Sequence, residues 1–167
     1  MTLTLQEISD RIEIDDLVNR VAVATDTWDW DLMDTCYVPE SVLDFTCASG
    51  PRTTYPEFLE WLKSSQEHHT LLMERKVTTR LITLDGDTAT GRVFCVKFMK
   101  RVDRDNGTDA GALTLVGHQY NDRYGRTPAG WKIMERVEEI TWYDGTWPPD
   151  YPVHLSPLPW DRIASSA

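Results

Sequence analysis

Basic runs are missing from this chain. Its 17 Lys and Arg stand against 27 Asp and Glu, a formal net charge of −10. Nucleic-acid affinity comes mostly from neutralising phosphates, so this balance excludes a nucleic-acid partner and disfavours an anionic membrane surface in the same way. Nowhere do 18 apolar residues follow one another, and the N-terminus, MTLTLQEISDRIEIDD, has no basic segment ahead of an apolar one. The expectation is a soluble cytoplasmic protein with no membrane partner.

Cysteine is scarce: Cys36, Cys47 and Cys95 are odd in number and lack any CxxC spacing. Neither a disulfide framework nor a zinc cluster is indicated, and buried free thiols are expected. His68 and His69, beside Glu67, lack the i, i+4 pairing of a helical metal site, so no metal is expected. There is no Gly-rich phosphate loop, no Gly-x-Ser-x-Gly and no recognisable Cys/His context. Nucleotide cofactors and acyl-enzyme chemistry fall away, and the chain is read as cofactor-free.

What is present is apolar material for one domain: 167 residues, 41% of them hydrophobic and 10% aromatic. A domain of this size removes roughly 70% of its unfolded surface from water. Thr4 and Glu7 fit a capping box, and Ile8, Ile12, Leu17, Val18, Val21 and Ala22 then recur at helical spacings, which predicts a first helix ending near Thr25-Asp26. A short second helix is predicted over Trp30 to Tyr37, stopped by Pro39, and a strand over Val42 to Cys47. Gly50-Pro51 marks a turn. Thr54 and Glu57 then open a third helix carrying Phe58, Leu59 and Leu62 and fading near His68-His69.

From Val77 the period changes. Val77 to Leu84, the Asp85-Gly86 turn, Thr88 to Val102, a loop over Asp103 to Gly111, Ala112 to Tyr124 and Trp131 to Tyr143 predict a four-strand antiparallel meander. Helices before strands imply an α+β fold. A single domain over residues 1–145 is followed by a tail, 146–167, with five prolines between Thr146 and Pro159. Its Trp147, Tyr151, Leu155, Leu158 and Trp160 need cover, so the tail is expected to lie across the pocket or the sheet.

The stretches DLVNRVAVATDTWDWDLMDTCYVPESVLDF, LDGDTATGRVFCVKF and GHQYNDRYGRTPAGWKIMERVEEITWYDG, in this order and spacing, resemble the nuclear-transport-factor-2-like superfamily. Within it, they resemble the SnoaL-like branch of scytalone dehydratase, bile-acid dehydratases and polyketide cyclases. The resemblance spans about residues 8 to 145. It implies a cone, a cystatin-like α+β barrel: a curved antiparallel sheet wrapped around three helices, an apolar pocket between them, and frequently a homodimer or higher homo-oligomer through the outer sheet face.

Asp26 follows a helix whose inner positions are Val18, Val21 and Ala22, where desolvation prepares a carboxylate to act as a base. The dehydratases also hold a functional aspartate at the matching position; the alternative is that Asp26 caps the second helix. Family histidines are missing: one position falls at Glu74, beside Arg75, and another at Met99. Glu74 can replace the missing group as an acid or base, and Arg75 can clamp a carbonyl or carboxylate oxygen. Strand alternation puts His118, Tyr120 and Asp122 on one face, where His118 and Tyr120 offer a proton shuttle if that face is the concave one. Asp44 offers a protonated carboxyl to an enolate oxygen. Trp30, Phe45 and Trp142 are read as walls for a flat hydrophobic ligand.

The expected function is a cofactor-independent acid/base lyase or isomerase (dehydratase, double-bond isomerase or cyclase) for a small hydrophobic polyketide-, terpenoid- or steroid-like metabolite. Two alternatives stand beside it. One is a non-catalytic ligand-binding or oligomer-forming domain. The other is an epoxide hydrolase of the limonene type, with an Asp-Arg-Asp set drawn from Asp26, Arg75 or Arg92, and Asp44 or Asp122.

Overall fold

The computed structural model describes the backbone of residues 2–69, 72–100, 102–103, 108–109, 113–147 and 153–156, with side chains over 2–65, 73–100, 113–147 and 153–156. Helix α1 spans Leu5–Thr27. Its capping box forms: the Thr4 N–H donates to Glu7 Oε2 at 2.6 Å, and the Glu7 N–H donates to Thr4 Oγ1 at 3.1 Å. The helix buries Asp10, Ile14, Leu17, Val18, Val21, Ala24 and Thr25. Ile8 and Ile12, expected on that face, are exposed instead, because the stripe that meets the sheet runs through Ile14.

Trp28, at φ 59°, ends α1, and helix α2 spans only Trp30–Asp34. Asp29 caps α2, accepting from the Leu32 N–H at 2.9 Å, so Asp26 is not its cap. The predicted continuation of α2 to Tyr37 is corrected: strand β1, Tyr37–Asp44, already begins there. Pro39 lies where the register of β1 shifts, between Tyr37 and Val42. An irregular stretch of strand tolerates its missing N–H. Ser41 braces this stretch, accepting from the Val38 N–H and donating to the Ile133 carbonyl at 2.6 Å.

A 3-10 turn over Thr46–Ala48 and a short strand β2, Arg52–Thr54, precede helix α3, Tyr55–His69. Strand β2 follows the predicted Gly50-Pro51 turn and takes Thr54, where the third helix is expected to open. Strand β3 runs Leu72–Asp85, five residues earlier than predicted, and turns at Gly86, φ 58°, into β4, Thr88–Lys100. Across the predicted end of that strand and the loop after it, the pair β5 (Val102–Asp103) and β6 (Thr108–Asp109) is described. Strands β7, Thr114–Thr127, and β8, Gly130–Asp144, complete the meander.

The six-stranded sheet has the order β2-β1-β8-β7-β4-β3. All its pairings are antiparallel except β1 with β8, which is parallel. The fold is α+β: a curved, unclosed sheet whose inner face packs on the helices. No helix among the described residues is long and apolar enough to cross a membrane. Of the tail, residues 153–156 touch the domain: Leu155 bridges Ile140, the Ser156 N–H donates to the Ile140 carbonyl at 2.8 Å, and the His154 N–H donates to the Cys47 carbonyl at 2.8 Å. Tyr151, Leu158 and Trp160 lie outside the described residues, as do the side chains of His68 and His69.

Candidate active site

Alternation along the strands builds the site. Arg75 on β3 pairs with Lys97 on β4; Cys95 pairs with His118, and Val93 with Tyr120 on β7; Tyr120 pairs with Glu138 and Asp122 with Arg136 on β8. With period two these side chains share the face toward the helices. His118 and Tyr120 are therefore on the concave side, at 1% and 6% exposure.

From α1, Asp26 reaches this face. Its Oδ2 accepts from the Arg75 backbone N–H at 2.6 Å, and its Oδ1 accepts from the guanidinium. A second guanidinium nitrogen donates to Met73 Sδ at 3.1 Å. Burial opposes the charge on Arg75, but Tyr120 and Asp26 outweigh it and its pKa is raised. The guanidinium is thus a fixed cation in a nearly dry place, suited to stabilise an oxyanion.

On the other side of Tyr120, whose ring meets that of His118 edge-on at 4.9 Å, lies a buried pair. His118 Nδ1 and Glu138 Oε1 are 3.0 Å apart, close but off the line of the ring N–H, so no aligned hydrogen bond forms. Burial lowers the pKa of His118 to about 4 despite the carboxylate, and Lys97 and Arg75 add to the effect. Burial alone would raise Glu138, but Lys97 and His118 overcome it and bring it down to about 2. At neutral pH the pair is a carboxylate beside a neutral imidazole. Lys97, buried, has its own pKa lowered by desolvation.

A third unit braces the floor. The Arg136 guanidinium donates to both Asp122 oxygens at 2.8 and 2.7 Å and lies 4.1 Å above the Tyr120 ring. The Tyr124 hydroxyl also donates to Asp122, at 2.8 Å. Three cations, Arg75, Lys97 and Arg136, thus face three carboxylates, Asp26, Glu138 and Asp122.

The structure brings Asp26, Arg75, His118 and Tyr120 together and places Phe45 beside them, 6.2 Å from the Tyr120 ring. It does not bring in Asp44, which accepts from Thr46 and pairs with Arg52, or Glu74, which is exposed and paired with Lys76. Trp30 opens α2 with Lys63 6.0 Å above its ring, and Met99 pairs with Thr114 and Met73. Trp142 pairs with Gly117, one step off the face carrying His118, and is 43% exposed. A Cβ on Gly117 would come within 2.0 Å of the Trp142 indole nitrogen. Lys97, Arg136 and Glu138 belong to the cluster but were not singled out from sequence.

Between α1, α3 and the sheet lies a cavity of about 20 Å³, lined by Val21, Met33, Phe45, Phe58, Arg75 and Tyr120 among others. That is room for one water, so a larger ligand enters only as lining side chains give way. Two wider grooves lie elsewhere: one of about 500 Å³ along Glu13, Arg20 and Trp131, and one of about 480 Å³ on the outer sheet face along Leu81, Arg92 and Val137. Asp26, His118 and Tyr120 line neither.

A half-open sheet cone with an ionised, desolvated interior places the chain among the nuclear-transport-factor-2-like folds. The chain belongs to the SnoaL-like domain family, whose model matches residues 6–137. An uncharacterized protein of Mycobacterium tuberculosis is 31% identical over 136 residues, covering 81% of this chain and 88% of that protein, and a Mycobacterium bovis protein matches equally. Among solved structures, a Kribbella flavida protein superposes with a TM-score of 0.73 at 21% identity, covering 81% of this chain and 93% of its own. A candidate scytalone dehydratase from Novosphingobium aromaticivorans gives 0.73 at 10% identity, covering 89% and 93%. The hexachlorocyclohexane dehydrochlorinase LinA-type3 of Novosphingobium barchaimii gives 0.71 at 15% identity, covering 92% and 99%.

Proposed function

We propose that the chain is a cofactor-independent acid/base lyase or isomerase that abstracts a proton next to a carbonyl in a small, neutral, hydrophobic metabolite of polyketide, terpenoid or steroid type. The observation that carries the reading is the convergence of Asp26, Arg75, Tyr120 and His118 on one buried face. Asp26, oriented by Arg75 through both oxygens, keeps free lone pairs and is the proposed base. Arg75 and the Tyr120 hydroxyl are the proposed partners of the enolate oxygen, and neutral His118 relays the proton. The interior charges balance, which favours an uncharged substrate. The dehydratase and dehydrochlorinase names among the structural neighbours support elimination or isomerisation as the outcome.

A second reading, a non-catalytic domain, is favoured by the size of the 20 Å³ cavity. Hydrogen–deuterium exchange at C1 of 2-tetralone, a neutral bicyclic ketone, separates the two. The enzyme reading expects exchange well above the buffer rate, slowed about 10²-fold in Tyr120→Phe or His118→Gln. Exchange at the buffer rate selects the non-catalytic domain. A homodimer through the outer sheet face, where Leu81, Phe94 and Trp142 are exposed, belongs to the same proposal. Sedimentation of a monomer at micromolar concentration would remove that part.

A further inference from the structure

Among the described residues, four buried side-chain nitrogen or oxygen atoms have no aligned hydrogen-bond partner, and three of them belong to one pair: Nδ1 and Nε2 of His118 and Oε1 of Glu138. Folded proteins satisfy nearly all such atoms, so three on one pair mark a place kept for something other than stability. Both side chains are almost fully buried, at 0% and 1% exposure.

We propose that Glu138 is the positioning residue of the site: its carboxylate, 3.0 Å from Nδ1 of His118, favours the proton on that nitrogen and leaves Nε2, with its lone pair, to take up in relay the proton that Asp26 removes from the substrate. The inference rests on the acid/base reading given above. The charged and titratable groups around the pair all act in this direction or stay out of it. Lys97 on β4 holds Glu138 as a carboxylate, and an ionised acceptor at Nδ1 selects the Nδ1–H tautomer. Lys97 and Arg75, with burial, oppose a proton on the resting imidazole. Cys47, 3.8 Å from Glu138 Oε2, is pushed up to about 12 and Cys95 to about 11, so both stay neutral thiols. Tyr120, raised further by burial, stays a neutral phenol whose ring, at 87° to the imidazole, fixes its plane.

The step balances. The C–H proton passes to the Asp26 carboxylate and from it to Nε2, the electron pair of that bond moves into the carbonyl to give an enolate, and the resulting imidazolium stands against Glu138. The proton returns to carbon or to a leaving hydroxyl when the enolate collapses.

The test uses the full-length protein and two readouts. Long-range proton–nitrogen NMR correlations, with His118 assigned by its loss in His118→Gln, should show one Nδ1–H tautomer that stays unprotonated down to pH 5. Glu138→Gln should introduce the Nε2–H tautomer and slow 2-tetralone exchange about 10²-fold with little change in KM, because an amide can turn its donor toward Nδ1. Glu138→Asp should keep the Nδ1–H state and much of the rate. If the Gln variant does not fold, Lys97→Met serves: it should raise the pH at which His118 takes up a proton. A wild-type His118 protonated on Nε2, or a Glu138→Gln protein with unchanged tautomer and rate, overturns the proposal. Wild-type exchange at the buffer rate with the Nδ1–H tautomer present instead removes the acid/base reading and the substrate step, leaving only a structural pair.

Discussion

Asp26 and Arg75 join two elements 49 residues apart through both oxygens of one carboxylate, which accept from the backbone N–H and the guanidinium of the same residue. The contact fixes the last turn of α1 on β3 and orients Asp26 at once. Arg75→Lys keeps the charge and the backbone bond but loses the planar fork, and a lysine is not an equivalent partner for a carboxylate. The expected outcome is a folded protein, less stable by roughly 1–2 kcal/mol, with 2-tetralone exchange slowed at least tenfold. An unchanged rate would take Arg75 out of the site.

Acid should destabilise the protein across two pH windows. His118 has its pKa lowered from 6.5 to about 4, so between those values the unfolded chain takes up a proton the folded site refuses. Glu138 is lowered from 4.5 to about 2, so its share of stability, present above 4.5, is lost as the pH falls toward 2. Each such proton changes stability by about 1.4 kcal/mol per pH unit. Urea denaturation at pH 7, 5.5 and 4.5 should show falling stability, and the loss between 6.5 and 4.5 should shrink in His118→Phe. Stability that rises toward acid would contradict these shifts.

The Asp122–Arg136 pair, with side chains 0% and 3% exposed, predicts an asymmetry. Asp122→Asn leaves a buried guanidinium without its counter-charge and should cost about 3–5 kcal/mol. The double variant Asp122→Leu with Arg136→Met should recover most of that loss, as apolar replacements of buried pairs often do. Denaturant midpoints of the three proteins decide it; equal losses in single and double variants would mean that the pair itself stabilises.

A chain ending at Trp147 keeps the Thr114–Thr146 hydrogen bond and the Tyr143–Trp147 ring contact but loses the bonds of His154 and Ser156 to Cys47 and Ile140. Ile140 is the cross-strand partner of His118, so the lost strap lies beside the site. We expect it to fold and to exchange 2-tetralone more slowly, as water enters. Full-length rates in the shortened chain would make the tail packing only.

The meander was legible because alternation and the Asp85-Gly86 turn are local signals, and the start of α1 because its capping box is four residues long. The parallel pairing of β1 with β8 was not, since nothing local in Tyr37–Asp44 points to a partner ninety residues on. Pro39 misled for a related reason: it reads as a helix stop, whereas it sits in a strand irregularity that Ser41 braces. The concave face of β7 was undecidable from alternation alone. Glu138 and Arg136 were missed because β8 carries charges on both faces, Glu135 and Glu139 as well as Arg136 and Glu138. Lys97 was findable: it extends the apolar row Val93, Cys95 on a strand whose other face carries Phe94, Val96 and Phe98.

The most direct measurement is the rate of 2-tetralone exchange by Asp26→Asn beside its melting temperature, since the substitution removes the proposed base at nearly constant volume. The account predicts a folded protein melting within several degrees of wild type and exchanging about 10²-fold or more slowly. A folded Asp26→Asn protein whose exchange stays within threefold of wild type would contradict it, leaving the Asp26–Arg75 contact as a brace between helix and sheet.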